Sequence, residues 1–376
     1  MQQLGNTNTF DIWTHNVGYD VFSMTRGAAS YSGNRMPTLS ICIPTYNRSA
    51  CLAELLDSIL AENSPDVEVV VGDDASPDDT EAVAATYADR LAHFTYFRHP
   101  VNVGVDGNIA AVAARATGDY VWLMGDDDRI ERGGIRRVLS ALSQWPDVVA
   151  VTVGVVDYDV SMRRMTGIRK MPPTQCFTGI GPAFSHLAEL LGFISATLIR
   201  RTHWEIAAAD PRAKVMTNLY SQVYIAGLAV GTKGRWGVIE EPCVGFRSGN
   251  DQLKRRIGWL ERLKVDVRAY DEIAELLFPE NRRVRHAIAR RIFDTHVIAR
   301  ILNAKTEGST VHDAVLAASY LMHRYFAVPR FWAIGLPLLI APGAAVRAVR
   351  HAYQRMIRES GTGRARQFAL NPAVRP

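Results

Sequence analysis

Apolar positions in the first half of the chain follow two alternating periods. Runs in which nearly every residue is apolar, Leu39–Pro44, Val67–Val71, Tyr120–Met124 and Val148–Val156, read as buried strands, and Phe94–Arg98 fits another. Between them, Leu52, Leu55, Leu56, Ile59 and Leu60 recur at i, i+3, i+4, i+7 and i+8, the stripe of an amphipathic helix. Asp106–Thr117 fits a further helix, and Gly134–Gln144 carries Ile135, Val138, Leu139 and Leu142 on one face. Ser76-Pro77-Asp78-Asp79 predicts a helix start with Ser as N-cap, Pro at the first helical position and acids in the first turn. Strand and helix alternate, which predicts an α/β fold around a mostly parallel sheet.

Beyond Val156 the period is lost, and Asp157–Pro182, with Pro172-Pro173 and Gly179, predicts a long irregular stretch. Ala183–Leu191 reads as helical, Phe193–Ile199 as extended, and Thr202–Ala209 and Asn218–Val230 as helical. From Leu253 onward the pattern is helical and basic. The expected divisions are an amino-terminal extension over 1–36, two halves of an α/β domain over 37–145 and 146–252, and a basic helical region over 253–376.

Of the 376 residues, 48% are hydrophobic and 22% charged, which excludes a disordered or fibrous chain. Cys42, Cys51, Cys176 and Cys243 show no CxxC spacing, arguing against a structural zinc site or a disulfide framework. No apolar stretch of a secretory signal occurs in residues 1–36, and a reducing cytoplasm is the expected setting. The net charge of +5 hides an asymmetry: about 22 Lys and Arg face about 11 Asp and Glu from Asp251 onward, so a basic tail follows an acidic body.

The chemistry gathers after two strands. Gly72-Asp73-Asp74 and Gly125-Asp126-Asp127-Asp128 each follow a buried run, and ligands of open α/β sheets sit beyond such strand ends. Like charges so close call for a cation. A hard divalent ion shared between carboxylates and a phosphate ester is the expected ligand.

Four blocks in order, Pro44-Thr45-Tyr46-Asn47-Arg48, Gly72 to Ser76 with Asp78-Asp79-Thr80, Asn102-Val103-Gly104, and Gly118-Asp119-Tyr120 leading into Gly125 to Asp128, resemble the family 2 glycosyltransferases of the GT-A fold. The likeness is strong over Pro37 to Leu142. Gly192 to Arg201 and Arg247-Ser248-Gly249-Asn250-Asp251 resemble the subgroup of abequosyltransferases and other surface-polysaccharide enzymes. The resemblance implies a GT-A fold with a helical C-terminal region, residues 37–145 holding a nucleotide-diphospho-sugar and 146–252 the acceptor. By it, Pro44, Thr45, Tyr46 and Arg48 wrap the base and ribose, and Asp74, with Asp73 beside it, reads the base. Asn102, Gly104 and Asn108 lie beneath the donor. Asp127 takes the second acid of an Asp-x-Asp metal motif whose first acid is replaced by Gly125. Asp126 or Asp128 stands in for the missing contact, with Asp127 and Asp128 as ligands of Mg²⁺ or Mn²⁺.

The resemblance also implies a carboxylate base near the acceptor helix, yet Lys214 to Gln222 holds no acid. Asp210 is the nearest, followed by Glu205, Asp157 and Asp159. That gap keeps a non-catalytic sugar-nucleotide or lipid-binding module open. A nucleotidyltransferase shares the acids but lacks its glycine-rich loop after the first strand here, and GxGxxG is missing as well.

Near the C-terminus, Phe331–Val346 is almost uncharged, flanked by Arg324 and Arg330 and by Arg347, Arg350, Arg355 and Arg358. About sixteen residues with two prolines fall short of the roughly twenty needed to span a bilayer. Interfacial attachment to an anionic membrane surface is expected, alongside the alternative of a helical hairpin buried on the catalytic domain. A polyprenyl-diphosphate-linked saccharide acceptor would make such attachment useful; no nucleic-acid partner is expected.

Overall fold

The computed structural model describes residues 38–62 and 64–359; the extension expected over residues 1–36 lies outside them. The strand periodicity sorts side chains to two sides of one sheet. On β1 (Leu39–Thr45), β2 (Val67–Asp73) and β4 (Tyr120–Leu123), Ile41, Ile43, Val69, Val71 and Trp122 join one buried cluster while Cys42, Val70, Val121 and Leu123 join the other. Helix α1 (Ser49–Leu60) buries Leu52, Leu55, Leu56 and Ile59 on the first side, as its stripe predicts. Helix α3 (Gly104–Arg115) buries Ile109, Val112 and Ala113 on the second.

With β3 (Phe94–Arg98), strands β1 to β4 run parallel in the order β3-β2-β1-β4, so the chain reverses its direction of travel between β1 and β4. Ligand crevices of open α/β sheets form at such a switch point. The sheet continues through β5 (Arg129–Ile130) and β6 (Val148–Tyr158), with α4 (Gly134–Gln144) between them. It is completed by β9 (Thr197–Arg200), which follows a 3₁₀ turn at Ile194–Ala196, and by β10 (Arg235–Arg247). Strand β9 is antiparallel to both β4 and β6, and β10 is parallel to β6. The C-terminal ends of β1, β2, β4, β6 and β10 therefore share one edge. The fold is GT-A.

The structure departs from expectation in four places. The helix α2 (Thr80–Ala85) starts later than Ser76, whose hydroxyl instead accepts the Asn47 N–H at 2.9 Å. The stretch expected to be irregular contains β7 (Met165–Ile168) and β8 (Gln175–Thr178), edge strands too exposed to show an apolar alternation. Phe193–Ile199 is a 3₁₀ turn before a short strand rather than extended throughout. Strands β5 and β10 were not anticipated.

The three helices expected in this part appear as α5 (Ile180–Leu191), α6 (Arg201–Ala208) and α8 (Ser221–Val230), with the short α7 (Pro211–Val215), which the periodicity does not predict, between the last two. The basic region forms α9 (Gln252–Ile257), α10 (Trp259–Leu277), α11 (Arg282–Ile292), α12 (Ile298–Glu307), α13 (Val311–Tyr325), α14 (Leu336–Ile340) and α15 (Gly343–Glu359). Ala269, Tyr270, Ile273 and Ile288 extend the core under the sheet, and Leu263, Phe293, Leu321, Tyr325, Phe331 and Leu339 build a separate one. Among the described residues no single helix is long and apolar enough to cross a membrane, and Phe331–Ile340 and Gly343–Ala352 form a pair bent by 114°. The apolar run has two faces: Phe331 and Leu339 are buried, whereas Trp332, Ile334 and Ile340 are exposed.

Candidate functional site

At the end of β2 the backbone is squeezed. A Cβ on Gly72 would lie 2.5 Å from Val112 and 2.6 Å from Asn108, so only glycine fits. Asn108 is buried and donates to the Gly72 carbonyl at 2.8 Å, while its Oδ1 lies 3.2 Å from His99 Nε2. Asp73 is fully buried, accepting from Ser76 N–H at 2.8 Å, Tyr96 hydroxyl at 2.8 Å and Arg98 at 3.1 Å. Its carboxylate shapes the loop. Asp74 accepts from the backbone N–H groups of Val103 (2.6 Å) and Gly104 (3.0 Å), the first turn of α3, where a negative charge complements the helix dipole. Asn102 donates to the Asp74 carbonyl at 3.2 Å, and Gly104 has φ +80°.

At the end of β1, Pro44 and Thr45 lie opposite Gly72 and Asp73. Tyr46 is exposed and Asn47 turns the chain with φ 55°. Thr45 donates to Asp126 Oδ2 at 2.8 Å. Arg48 places one guanidinium nitrogen 2.8 Å from Asp126 and 3.2 Å from Asp127, and the other donates to the Asn250 carbonyl at 3.1 Å. Its Nε is buried without a partner among the described residues.

The acid loop after β4 divides its three carboxylates. Asp128 is buried, accepting from the Ser195 hydroxyl at 2.6 Å and the Arg247 N–H at 3.3 Å. Burial, and then the neighbouring Asp127, push its carboxyl well above the usual range. Asp126 is buried as well; burial raises its pKa to about 6 against the opposing pull of Arg48. Asp127 keeps an exposed edge, with its Oδ2 accepting from Asn250 Nδ2 at 2.7 Å and its carbonyl from Arg247 Nε at 2.8 Å. Two arginines thus hold three acids together before any ligand arrives.

Residues 40–192 match the family model for glycosyl transferase family 2. This part of the chain is a family 2 glycosyltransferase domain. The transferase is 26% identical over 262 residues to the abequosyltransferase RfbV of Salmonella typhimurium, covering 66% of this chain and 78% of that one. It is 30% identical over 112 residues to a GalNAc(5)-diNAcBac-PP-undecaprenol beta-1,3-glucosyltransferase of Campylobacter jejuni, but spans only 36% of that protein. Its fold resembles S. aureus TarS 1–349 in complex with UDP-GlcNAc, with a TM-score of 0.55 at 17% identity over 86% of this chain and 92% of that one. It also resembles the mannosyltransferase PcManGT from Pyrobaculum calidifontis in complex with GDP-Man and Mn²⁺, at 0.50 and 18% over 84% and 88%.

Of the three carboxylates in the acid loop, Asp127 is the least buried and is the one on which a divalent ion could be held. Among the described residues no group of three or more His, Cys, Asp or Glu is arranged to hold a metal. Asp127 offers an accessible edge, and a magnesium-like ion is commonly held by one or two carboxylates with phosphate oxygens and water completing its shell. Asp128, expected as the second ligand, is instead buried, with one oxygen accepting from Ser195 and the other from the Arg247 N–H.

Asp210, the expected base, is the N-cap of α7 and accepts from the N–H groups of Arg212 at 2.8 Å and Ala213 at 3.4 Å. Gln222 is buried, and neither of its amide atoms has a partner among the described residues. Sequence reasoning gave no role to Ser195, Arg247, Asn250 or Glu54. The first three lie in the two blocks resembling the surface-polysaccharide subgroup; Glu54, bonded to Arg247 at 2.5 Å, had no signal.

Proposed function

We propose that this glycosyltransferase moves one sugar from a nucleotide-diphospho-sugar to a saccharide acceptor carried on a polyprenyl diphosphate, in bacterial surface-polysaccharide assembly on the inner face of the cytoplasmic membrane. The observation that carries this is the junction of three neighbouring strand ends, where Tyr46 follows β1, Asp74 follows β2, and the acid loop held by Arg48 follows β4. Tyr46 offers the nucleobase an aromatic surface, and each Asp74 oxygen retains a lone pair for a base N–H. Pro44, Thr45, Asn102, Gly104 and Asn108 form the backbone wall for base and ribose. Asp73 supports that wall rather than touching the ligand.

A bound Mg²⁺ or Mn²⁺ would neutralise charge developing on the leaving diphosphate. Asp127 would hold it, with Asp126 and Arg48 fixing the loop from behind. The transferase names of the relatives, the UDP-GlcNAc and GDP-Man complexes of the structural neighbours, and the Mn²⁺ in one of them support this reading.

Membrane attachment is the second part of the proposal. Exposed Phe326, Trp332, Ile334 and Ile340 lie in a stretch bounded in sequence by Arg324 and Arg330 and by Arg347 and Arg350. Beside them an open groove of about 640 Å³ is lined by Val315, Ala318, Met322 and Phe326. Apolar side chains flanked along the chain by arginines, of which Arg324 and Arg330 also pair with Asp271 and Asp294, suit an anionic lipid surface.

The test is calorimetric titration of UDP, GDP and CDP with and without Mn²⁺, followed by nucleoside diphosphate release from the matching sugars. One nucleotide should bind selectively and more tightly with Mn²⁺, and saccharide acceptors should accelerate its release. Absence of binding to all three would refute the donor assignment.

A further inference from the structure

The helix that begins at Arg282 carries a positive charge that neither the acid loop nor the apolar run near the C-terminus uses. α11 passes through a π-helical turn (Phe293–Val297) into α12, and the residues at both junctions keep right-handed helical angles, so Arg282–Glu307 is one helix about 39 Å long. Ile288, Ala289, Ile292, Phe293, Val297 and Ile301 are buried and fix it against the body of the protein. Arg282, Arg283, His286 and Arg290 of α11 are all exposed.

From Arg282 to Phe293 there are five arginines and no carboxylate. Two of the five are engaged within the fold: Arg285 donates to the Phe278 carbonyl at 3.1 Å, and Arg291 pairs with Glu189 of α5. Arg282, Arg283 and Arg290 have no hydrogen-bond or ion-pair partner among the described residues. The nearest acids along the chain do not neutralise them. Asp294, one turn beyond Arg290, takes Arg330 at 2.7 Å, and exposed Glu280 lies in the turn before the helix. Like charges set along one helix repel, a cost that an anionic partner removes.

The spacing says which partner. Arg282 and Arg290 are about 12 Å apart along a convex helix surface, so the guanidinium groups do not converge on one small anion; they match an array of separate phosphates. The line of charge also leads to apolar side chains. Arg330, held on Asp294, stands two residues before exposed Trp332. Phosphates beside an apolar phase describe a lipid surface better than a nucleic acid.

We propose that Arg282, Arg283 and Arg290 form a second membrane contact, which docks on the phosphates of anionic lipid head groups and lays the helix Arg282–Glu307 along the bilayer surface. This rests on the membrane attachment proposed above, which places the contact on the chain from Phe326 to Arg350, and adds an electrostatic arm that inserts nothing. An arginine at an anionic surface strengthens attachment about fivefold, so the three together contribute on the order of a hundredfold.

The experiment measures co-sedimentation of the full chain with vesicles of phosphatidylcholine alone and of equal parts phosphatidylcholine and phosphatidylglycerol. The variants are the triple changes of Arg282, Arg283 and Arg290 to Gln and to Lys, and a control triple, Arg132→Gln with Arg136→Gln and Arg163→Gln, which removes the same charge from exposed positions elsewhere. The α11 glutamine triple should lose binding to the anionic vesicles on the order of a hundredfold at low salt, with nucleotide affinity and melting temperature as in the parent. The lysine triple should keep binding, the control triple should bind nearly as the parent does, and the difference between parent and glutamine triple should vanish in high salt. Parental binding by the glutamine triple would overturn the proposal, as would an equal loss in the control triple, which would mark the effect as one of net charge. Loss of binding to a duplex oligonucleotide with vesicle binding unchanged would assign the face to nucleic acid instead. A parent chain that binds neither vesicle would overturn the membrane attachment and this inference together, whereas parental binding lost in Trp332→Ser with Ile340→Ser but kept in the glutamine triple would overturn this inference alone.

Discussion

Asp266 lies at the centre of the most buried charge network in the C-terminal helices, and removing it should be costly. It is 1% exposed and accepts from Arg300 Nε at 3.0 Å, from the Tyr220 hydroxyl at 2.5 Å and from Arg262 one helical turn away. Arg262 and Arg300 also bond Asp251, at 3.3 and 2.8 Å. In Asp266→Ala two largely buried guanidinium groups would share Asp251 alone, and Tyr220 would lose the oxygen to which it donates. Breaking a buried pair by deleting one partner costs about 3–5 kcal/mol, and the surviving contacts to Asp251 place this case near 3. In a chain of this size that corresponds to a fall in Tm on the order of 5 °C, followed by circular dichroism. Burial pushes the Asp266 carboxyl up, but Arg300 and Arg262 outweigh it and hold it below the usual carboxylate range. A folded pKa below the unfolded one contributes stability above the unfolded value, about 3.9, and loses it as pH falls toward the folded value. The gap between parent and variant should therefore be full at pH 7 and shrink below about pH 4. A variant melting within about 1 °C of the parent at pH 7 would refute the reasoning.

The other expectations follow from local geometry. Gly72→Ala should cost about 1–3 kcal/mol and weaken nucleotide binding, since its Cβ meets Val112, Asn108 and Phe97; melting and calorimetry check both. Asp127→Ala should abolish the Mn²⁺-dependent part of nucleotide binding while melting close to the parent, because its side chain is partly exposed; unchanged Mn²⁺ dependence would remove it as the ligand. Trp332→Ser with Ile340→Ser should lower co-sedimentation with anionic vesicles without unfolding the chain, since both side chains are exposed. Truncation before Arg324, by contrast, should yield aggregated protein, because it removes buried Tyr325, Phe331 and Leu339, and a soluble truncated chain would show that the C-terminal core is dispensable.

Legibility in this sequence followed the range of the interactions. Periodicity found β1, β2, β4, α1 and α4, whose partners are nearest neighbours in the sheet or lie on one helix face. It missed β10, a thirteen-residue strand interrupted by Glu240-Glu241-Pro242. There the pairing with β6 shifts register, and Gly154 accommodates it: a Cβ on Gly154 would lie 2.4 Å from the Glu240 carbonyl. A bulge resolved by a glycine on another strand leaves no local pattern. Similarly, Ser76-Pro77-Asp78 has the composition of a helix start, but the Asn47 and Ser49 N–H groups compete for Ser76 and Asp78, at 2.9 and 2.8 Å, and the helix begins at Thr80.

The acids of the site were legible because adjacent aspartates after a strand are a local signal, whereas what holds them is distant in sequence. Ser195 and Arg247 converge on Asp128, and Asn250 on Asp127, only because β9 and β10 complete the sheet beside β4. The same segment extends outward. Asn250 bonds Asp127, and the next residue, Asp251, bonds Arg262 and Arg300, which meet Asp266 and, through it, the Tyr220 at the head of α8. Asp127 is therefore connected to the start of α8 through Asn250, its backbone neighbour Asp251, Arg262 and Arg300, Asp266 and Tyr220. Strain introduced at Asp266 should then be felt as weakened nucleotide binding as well as lost stability. A control such as Arg291→Ala, whose pair with Glu189 on α5 lies outside this chain of contacts, should lower the melting temperature without changing nucleotide affinity.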